Sequence, residues 1–204
     1  MRFCLCFLFI FINTISFSQV FPSEIWYEGK VYLDSQETLR GHIKYDFDND
    51  LIQVNSDNLI KTFSTRKFTS FEITDTDRNV VRSFYSLPYY RVSNYKVPMM
   101  FELVKEGKNL SLLSREYITT ETVPQYDFYT HRNYYFNRSV VAYNYYLLFP
   151  TGKIRQYHFN KNELLDLLKD KSSEIKKYVK ENRLKYDKRE DLIEIVTYYN
   201  TLKK

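Results

Sequence analysis

The sequence predicts an α+β fold: an antiparallel, β-rich roll, sandwich or partly open barrel of about ten strands, followed by two or three C-terminal helices. Three observations carry this. From Trp26 to Phe159, short runs of alternating apolar character are separated by clusters of Asp, Asn, Ser, Gly and Pro. At Asn160 the apolar spacing changes to that of a helix. Four glycines and five prolines punctuate the whole chain, and no low-complexity linker separates strands from helices, so the tail is expected to pack on the sheet. The expected division is a signal peptide over residues 1–18, an antiparallel β domain over 19–159 and a helical tail over 160–204.

The leader comes first. Arg2 supplies a positive start, Phe3 to Ile12 a hydrophobic stretch, and Ser16-Phe17-Ser18 the small-x-small pattern of a cleavage site before Gln19. The stretch is shorter than the roughly 20 apolar residues that span a bilayer, so cleavage is expected rather than anchoring, with no transmembrane segment left behind. Export to the periplasm, cell surface or medium follows. Both cysteines, Cys4 and Cys6, fall in this leader, so the mature chain is expected to have no thiol, which removes disulfides, cysteine-based metal sites and cysteine nucleophiles together. Loss of Arg2 lowers the net charge from +5 to +4. A mild excess, mixed in sign along the chain, favours solubility over phosphate binding, and no nucleic-acid partner is expected.

Strands are predicted next, in antiparallel succession. Gly41, Ile43, Tyr45 and Phe47 alternate with His42, Lys44 and Asp46, the period of a strand with one wet face. Asp34-Ser35-Gln36 precedes it and Asp48-Asn49-Asp50 follows. Asn55-Ser56-Asp57-Asn58 then joins Leu51–Val54 to Leu59–Phe63, and Asp75-Thr76-Asp77-Arg78 joins Phe68–Ile73 to Val80–Leu87, with Pro88 closing that strand. Met99–Lys105 and Lys108–Arg115 flank Glu106-Gly107, where Gly107 is expected at positive φ. Val140–Phe149 and Lys153–Phe159 flank Pro150-Thr151-Gly152. Both faces of Val141–Phe149 are largely apolar, as in a strand covered on two sides.

The tail reads as helix. Asn160 with Glu163 makes a capping-box pattern ahead of Leu164, Leu165, Leu167 and Leu168. A second helix is expected near Ser172, carrying Ile175, Tyr178 and Val179. Asp187 with Glu190 repeats the capping pattern before Leu192, Ile195, Val196, Tyr199 and Leu202, one apolar stripe. The expected core is Trp26, Val31, Ile43, Tyr45, Phe71, Ile73, Phe101, Leu103, Leu112, Tyr145, Leu147, Ile195 and Tyr199.

Two groups of segments carry a resemblance. Glu28-Gly29-Lys30-Val31-Tyr32-Leu33, Thr38-Leu39-Arg40-Gly41-His42-Ile43 and Lys67-Phe68-Thr69-Ser70-Phe71-Glu72-Ile73 form the first. The second is the tail, Ile175 to Leu184 and Asp191 to Asn200. Together they resemble uncharacterised exported proteins of the Bacteroidetes type. The resemblance implies a periplasmic or surface setting in a Gram-negative cell and carries over no activity.

Candidate chemistry is sparse. Between Tyr126 and Tyr146 nine of 21 residues are aromatic. Tyr129, Tyr134, Tyr135 and Tyr143 are the candidate ligand-binding residues, since phenol rings can stack on flat ligands while their hydroxyls hydrogen-bond; cross-strand packing is the competing account. Asp46, Asp48 and Asp50 have calcium-loop spacing, but Leu51 and Asp57 stand where an EF-hand needs Gly and Glu, so they are candidates for another calcium turn at most. His131 and His158 are the candidate catalytic bases. Neither has a partner at metal-ligand spacing, and no G-x-S-x-G, S-x-x-K, P-loop or G-x-G-x-x-G motif is present, so no cofactor is expected. The reading is a non-enzymatic envelope module for a partner protein, glycan or other ligand. A hydrolase or transferase built on a histidine is the alternative.

Overall fold

The computed structural model describes residues 20–90 and 95–202. The predicted leader, with Cys4 and Cys6, lies outside the described residues. Ten antiparallel strands form one sheet: β1 (Tyr27–Leu33), β2 (Thr38–Asp46), β3 (Leu51–Ser56), β4 (Leu59–Ser64), β5 (Phe68–Asp75), β6 (Val80–Tyr90), β7 (Lys96–Lys105), β8 (Ser111–Asp127), β9 (Arg132–Leu148) and β10 (Ile154–Tyr157). Their order is β10-β9-β8-β7-β6-β5-β1-β2-β3-β4, and the sheet does not close into a barrel. Helices α1 (Lys161–Leu167), α2 (Ser172–Glu181) and α3 (Arg189–Leu202) follow.

The sheet is tightly curled. Four strands separate β2 from β8, which would set them about 24 Å apart in a flat sheet. The Tyr45 hydroxyl nevertheless donates a 2.7 Å hydrogen bond to Glu116 on β8. Gly29 and Gly41 face each other across β1 and β2, and each leaves room for a neighbouring backbone: a Cβ would strike the Glu72 carbonyl in one case and the Asn55 carbonyl in the other. Close approach of this kind allows strong coiling.

Two apolar clusters fill the inside of the curl. One gathers Val31, Ile43, Tyr45, Ile52, Phe71 and Phe84, with Phe71 and Phe84 stacked at 4.5 Å. The other joins Leu112, Tyr145, Leu147 and Tyr157 to Ile175, Val179, Leu192, Ile195, Val196 and Tyr199 of the helices. The tail therefore packs on the sheet, as its apolar stripe requires, and each fully buried aliphatic side chain contributes about 1.5–3 kcal/mol. Tyr146 lies on the opposite face with Met99, Phe101 and Leu113, so the end of β9 is covered on both sides. Asn200 latches α3 to the turn between β7 and β8. Its carbonyl accepts from the Asn109 and Leu110 amides, and its amide donates to the Leu110 carbonyl.

Several local expectations are corrected. Pro88 does not close β6, which runs on to Tyr90 with Pro88 opposite Pro98; β5 has already ended at that level, so the missing N–H interrupts no ladder on that edge. Gly107 is absent from the positive-φ residues; it is needed because a Cβ there would strike Asn200. Gly152 does take φ +74. Asn160 caps α1 by accepting from Asn162 and Glu163 amides, but Glu163 turns to His158 instead of completing a box. At α3, which starts at Arg189, the Asp191 carboxylate accepts from the Lys185 amide. Trp26 is 36% exposed and Leu103 half-buried, so neither anchors the interior.

Candidate functional site

The largest departure from expectation is β8 and β9. They extend through Asp127 and from Arg132, well past the predicted Arg115 and Val140, and pair without interruption from Ser111↔Leu148 to Asp127↔Arg132. Strand β7 accompanies β8 as far as Ser114, and β10 accompanies β9 from Tyr145. Beyond those points the two strands form a ribbon of their own. Burial changes abruptly there: Ser111 to Glu116 are all buried, whereas Tyr117 to Ser139 are exposed apart from a few half-buried positions. The ribbon is an arm. Polar alternation hides it in the sequence, because residues such as Thr119-Thr120-Glu121-Thr122 and Asn137-Arg138-Ser139 look like loop while satisfying a two-stranded ladder.

Most of the aromatic run lies on this arm. Tyr126, Phe128, Tyr129, Tyr134, Tyr135 and Phe136 are exposed, Tyr129 at 98%. The four candidate tyrosines do not form one surface: Tyr129 sits at the tip, Tyr134 and Tyr135 point to opposite faces as successive strand residues must, and Tyr143 is half-buried at the base. There the Tyr143 hydroxyl accepts from Arg78, and Arg189 lies over its ring. Tyr145 and Tyr146 belong to the core.

A buried ionic cluster fixes the root of the arm. Arg82 of β6 donates to Glu102 at 3.0 Å, to Glu116 at 3.2 Å and to the Tyr45 hydroxyl at 3.0 Å. Glu102 also accepts from Ser114 and from Arg189 of α3. Every charge has a counter-charge, the condition under which burial is tolerated. Burial works against the Arg82 cation, but Glu102, Tyr45 and Glu116 outweigh it and hold the guanidinium above its ordinary range. Burial likewise opposes the Glu102 charge, and Arg82 and Arg189 overcome it, so this carboxyl lies below its ordinary value. Desolvation raises the Tyr45 hydroxyl far out of the physiological range, Arg82 only partly offsetting it. Where β8 leaves β7, Asp50 accepts from the Met100 amide and Arg115 donates to the Met100 carbonyl, replacing the lost strand partner. Asp50 and Arg115 pair at 2.7 Å.

Asp50 is therefore structural. Asp46 turns to the Asp48 and Asn49 amides, so the three aspartates do not converge, and among the described residues no group of three or more His, Cys, Asp or Glu is placed to hold a metal ion. The ionic cluster was missed in the sequence although a signal exists. Arg82 shares the inward parity of Phe84, and Glu102 interrupts the apolar run Met99-Met100-Phe101.

Two clefts flank these elements. One, of about 390 Å³, lies between the root of the arm (Tyr117, Ile118, Val141), the segment Phe21-Pro22-Ser23 and the strands β2 to β4; Glu116 and Tyr45 line it too. The other, of about 770 Å³, is lined by Tyr89, Tyr90, Arg155, His158, Glu163 and Asp166, among others. There the His158 Nδ1 lies 2.9 Å from Glu163, whose other oxygen accepts from the His158 amide. His131 sits at the tip of the arm, with Nδ1 3.1 Å from the Tyr126 hydroxyl and outside both clefts.

Known protein families, curated proteins and solved structures give no match to the chain. Among the described residues no helix is long and apolar enough to cross a membrane.

Proposed function

We propose that the chain acts outside the cytoplasm as a non-enzymatic binding module of the cell envelope, presenting the β8–β9 arm to a partner polypeptide. One observation carries this reading: the arm exposes six aromatic side chains on a two-stranded ribbon whose outer edges are unpaired over most of their length. Isolated two-stranded ribbons are marginal in water, and unpaired strand edges invite pairing, so a partner that adds a strand or covers the rings stabilises the arm. Arg82 and its carboxylates hold the root rigid, which reduces the ordering cost of binding. The leader pattern at residues 1–18 and the resemblance to Bacteroidetes-type exported proteins support the envelope setting.

The test is capture from envelope extract with the protein and with a Tyr134→Ala/Tyr135→Ala variant of unchanged melting temperature. Loss of a captured protein in the variant is expected; an identical set of captured proteins removes the arm as the contact surface.

A second reading, hydrolase or transferase, has one observation in its favour, the His158 and Glu163 pair in a 770 Å³ cleft. A carboxylate that orients an imidazole is half of a general base, although Glu163 here also ties down the His158 backbone. Turnover of nitrophenyl ester and glycoside substrates that disappears in His158→Ala would support it. Equal background turnover in both would dispose of it.

A further inference from the structure

We infer that the cleft at the root of the arm is a binding site for an uncharged saccharide, separate from the surface of the arm itself. Lys44, Gln53 and Thr62 stand abreast on β2, β3 and β4, Lys44 opposite Gln53 and Gln53 opposite Thr62, and all three line the cleft. Neighbouring strands lie roughly 4.8 Å apart, so the row offers an amine, an amide and a hydroxyl at regular intervals. Their backbones are taken up in the strand ladders, but among the described residues none of the three side chains forms a hydrogen bond. Phe21, Tyr117 and Ile118 also line this cleft and bring aromatic and apolar groups to it. Hydrogen-bonding groups combined with aromatic groups, in a volume of about 390 Å³, match a ligand with hydroxyls around a compact ring that is apolar on its flat sides.

Charge narrows the class. Asp46, Asp48 and Glu116 line the cleft against one cation, Lys44, so an anionic ligand meets net repulsion. The carboxylates are also engaged already: Glu116 by Tyr45 and Arg82, Asp46 by its own turn. A cation therefore finds no carboxylate without a partner in Asp46 or Glu116, and the neutral groups are the ones left to bind. An extended peptide takes its main-chain hydrogen bonds from a strand edge, whereas the polar row lies on the face of three paired strands.

The inference is tested by calorimetric and NMR titration of the purified protein with cellotriose, maltotriose and chitotriose, and with a sulfated trisaccharide as the charged comparison. Saturable binding of at least one neutral trisaccharide is expected, weakened tenfold or more in Gln53→Ala/Thr62→Val and in Tyr117→Ala, and unchanged in Tyr134→Ala/Tyr135→Ala. Melting temperatures establish that each variant is folded, and resonances of the Lys44, Gln53 and Thr62 row should shift on titration. Absence of saturable binding to all three neutral trisaccharides overturns the inference, as does binding that the Gln53 and Thr62 changes leave untouched or that favours the sulfated sugar. None of these results bears on partner capture by the arm, which Tyr134 and Tyr135 report separately.

Discussion

Tyr45 and Glu116 are 71 residues apart in the chain and are joined by a buried 2.7 Å hydrogen bond that spans the inside of the curled sheet. The Tyr45 ring packs with Phe84 and Tyr27 in the N-terminal cluster, while Glu116 is the last of six consecutive buried residues before the arm begins. Arg82 touches both. The pair thus ties the two sides of the curl together at the root of the arm.

Tyr45→Phe keeps the ring and removes the hydroxyl, leaving Glu116 and Arg82 each short of a partner. The expected cost is about 1–3 kcal/mol. Arg82→Met leaves Glu102 and Glu116 buried without their shared cation, and about 3–5 kcal/mol is expected. Denaturant unfolding of the two single variants and the double variant measures the coupling. The double variant should cost clearly less than the two costs added together, because both changes act on Glu116; simple additivity would show that the two contacts are independent.

Glu102 gives the fold a defined acid limit. Its folded carboxyl lies below the ordinary value of 4.5, so its ion pairs contribute fully above that pH and are lost as pH falls through the depressed folded value. Stability of the protein should decline below pH 4.5. Glu102→Gln should be less stable at pH 7, with Arg82 and Arg189 deprived of their carboxylate, and should lose less between pH 4.5 and lower pH. Parallel stability curves for the two proteins across that window would show that other carboxylates govern acid unfolding.

Asn200 closes α3 onto the turn at Gly107 to Leu110. Asn200→Ala should cost about 1–3 kcal/mol, because it leaves two amides and a carbonyl in a partly buried turn without their partner. For a chain of this size each kcal/mol lowers the melting temperature by about 2–4 °C. Gly107→Ala should destabilise through the same contact, since its methyl would occupy the position of the Asn200 amide. Hydrogen exchange should accelerate at the Asn109 and Leu110 amides in both variants. Unchanged exchange there would mean that the latch is not what protects the turn.

Much of the architecture was legible because burial writes itself into residue spacing. Ile43, Tyr45 and Phe47 are buried while His42, Lys44 and Asp46 stand outside or at the margin, as alternation demands, and Leu192, Ile195, Val196 and Tyr199 are the buried stripe of α3. The arm was illegible for the same reason. Strand spacing shows when one face is wet and the other dry, and from Tyr117 to Ser139 both faces are largely wet. The ionic cluster was only half legible: the inward parity of Arg82 marks a buried cation, but nothing near it in sequence announces Glu116, and only the curl brings β6, β2 and β8 together. The aromatic run mixed two populations, core rings at Tyr145 and Tyr146 and exposed rings from Tyr126 to Phe136, which composition alone does not separate.

The arm should be separable from the body. Thr119 on β8 pairs with Val140 on β9, so residues 120–139 can be replaced by Asn-Gly, a two-residue turn suited to an antiparallel hairpin. The removed residues are exposed or half-buried and belong to none of the three buried clusters. The melting temperature of the shortened protein should fall by no more than roughly 2–4 °C, the shift that about 1 kcal/mol produces at this size. Amides of residues 120–139 in the intact protein should exchange faster than those of Leu112 and Leu113, since the ribbon can open without disturbing a core. Partner capture should vanish with the deleted segment, while the cleft lined by Lys44, Gln53 and Tyr117 is retained. A drop far beyond a few degrees would mean that the rings of the arm pack on the body in solution, and the proposed contact surface would then be part of the fold.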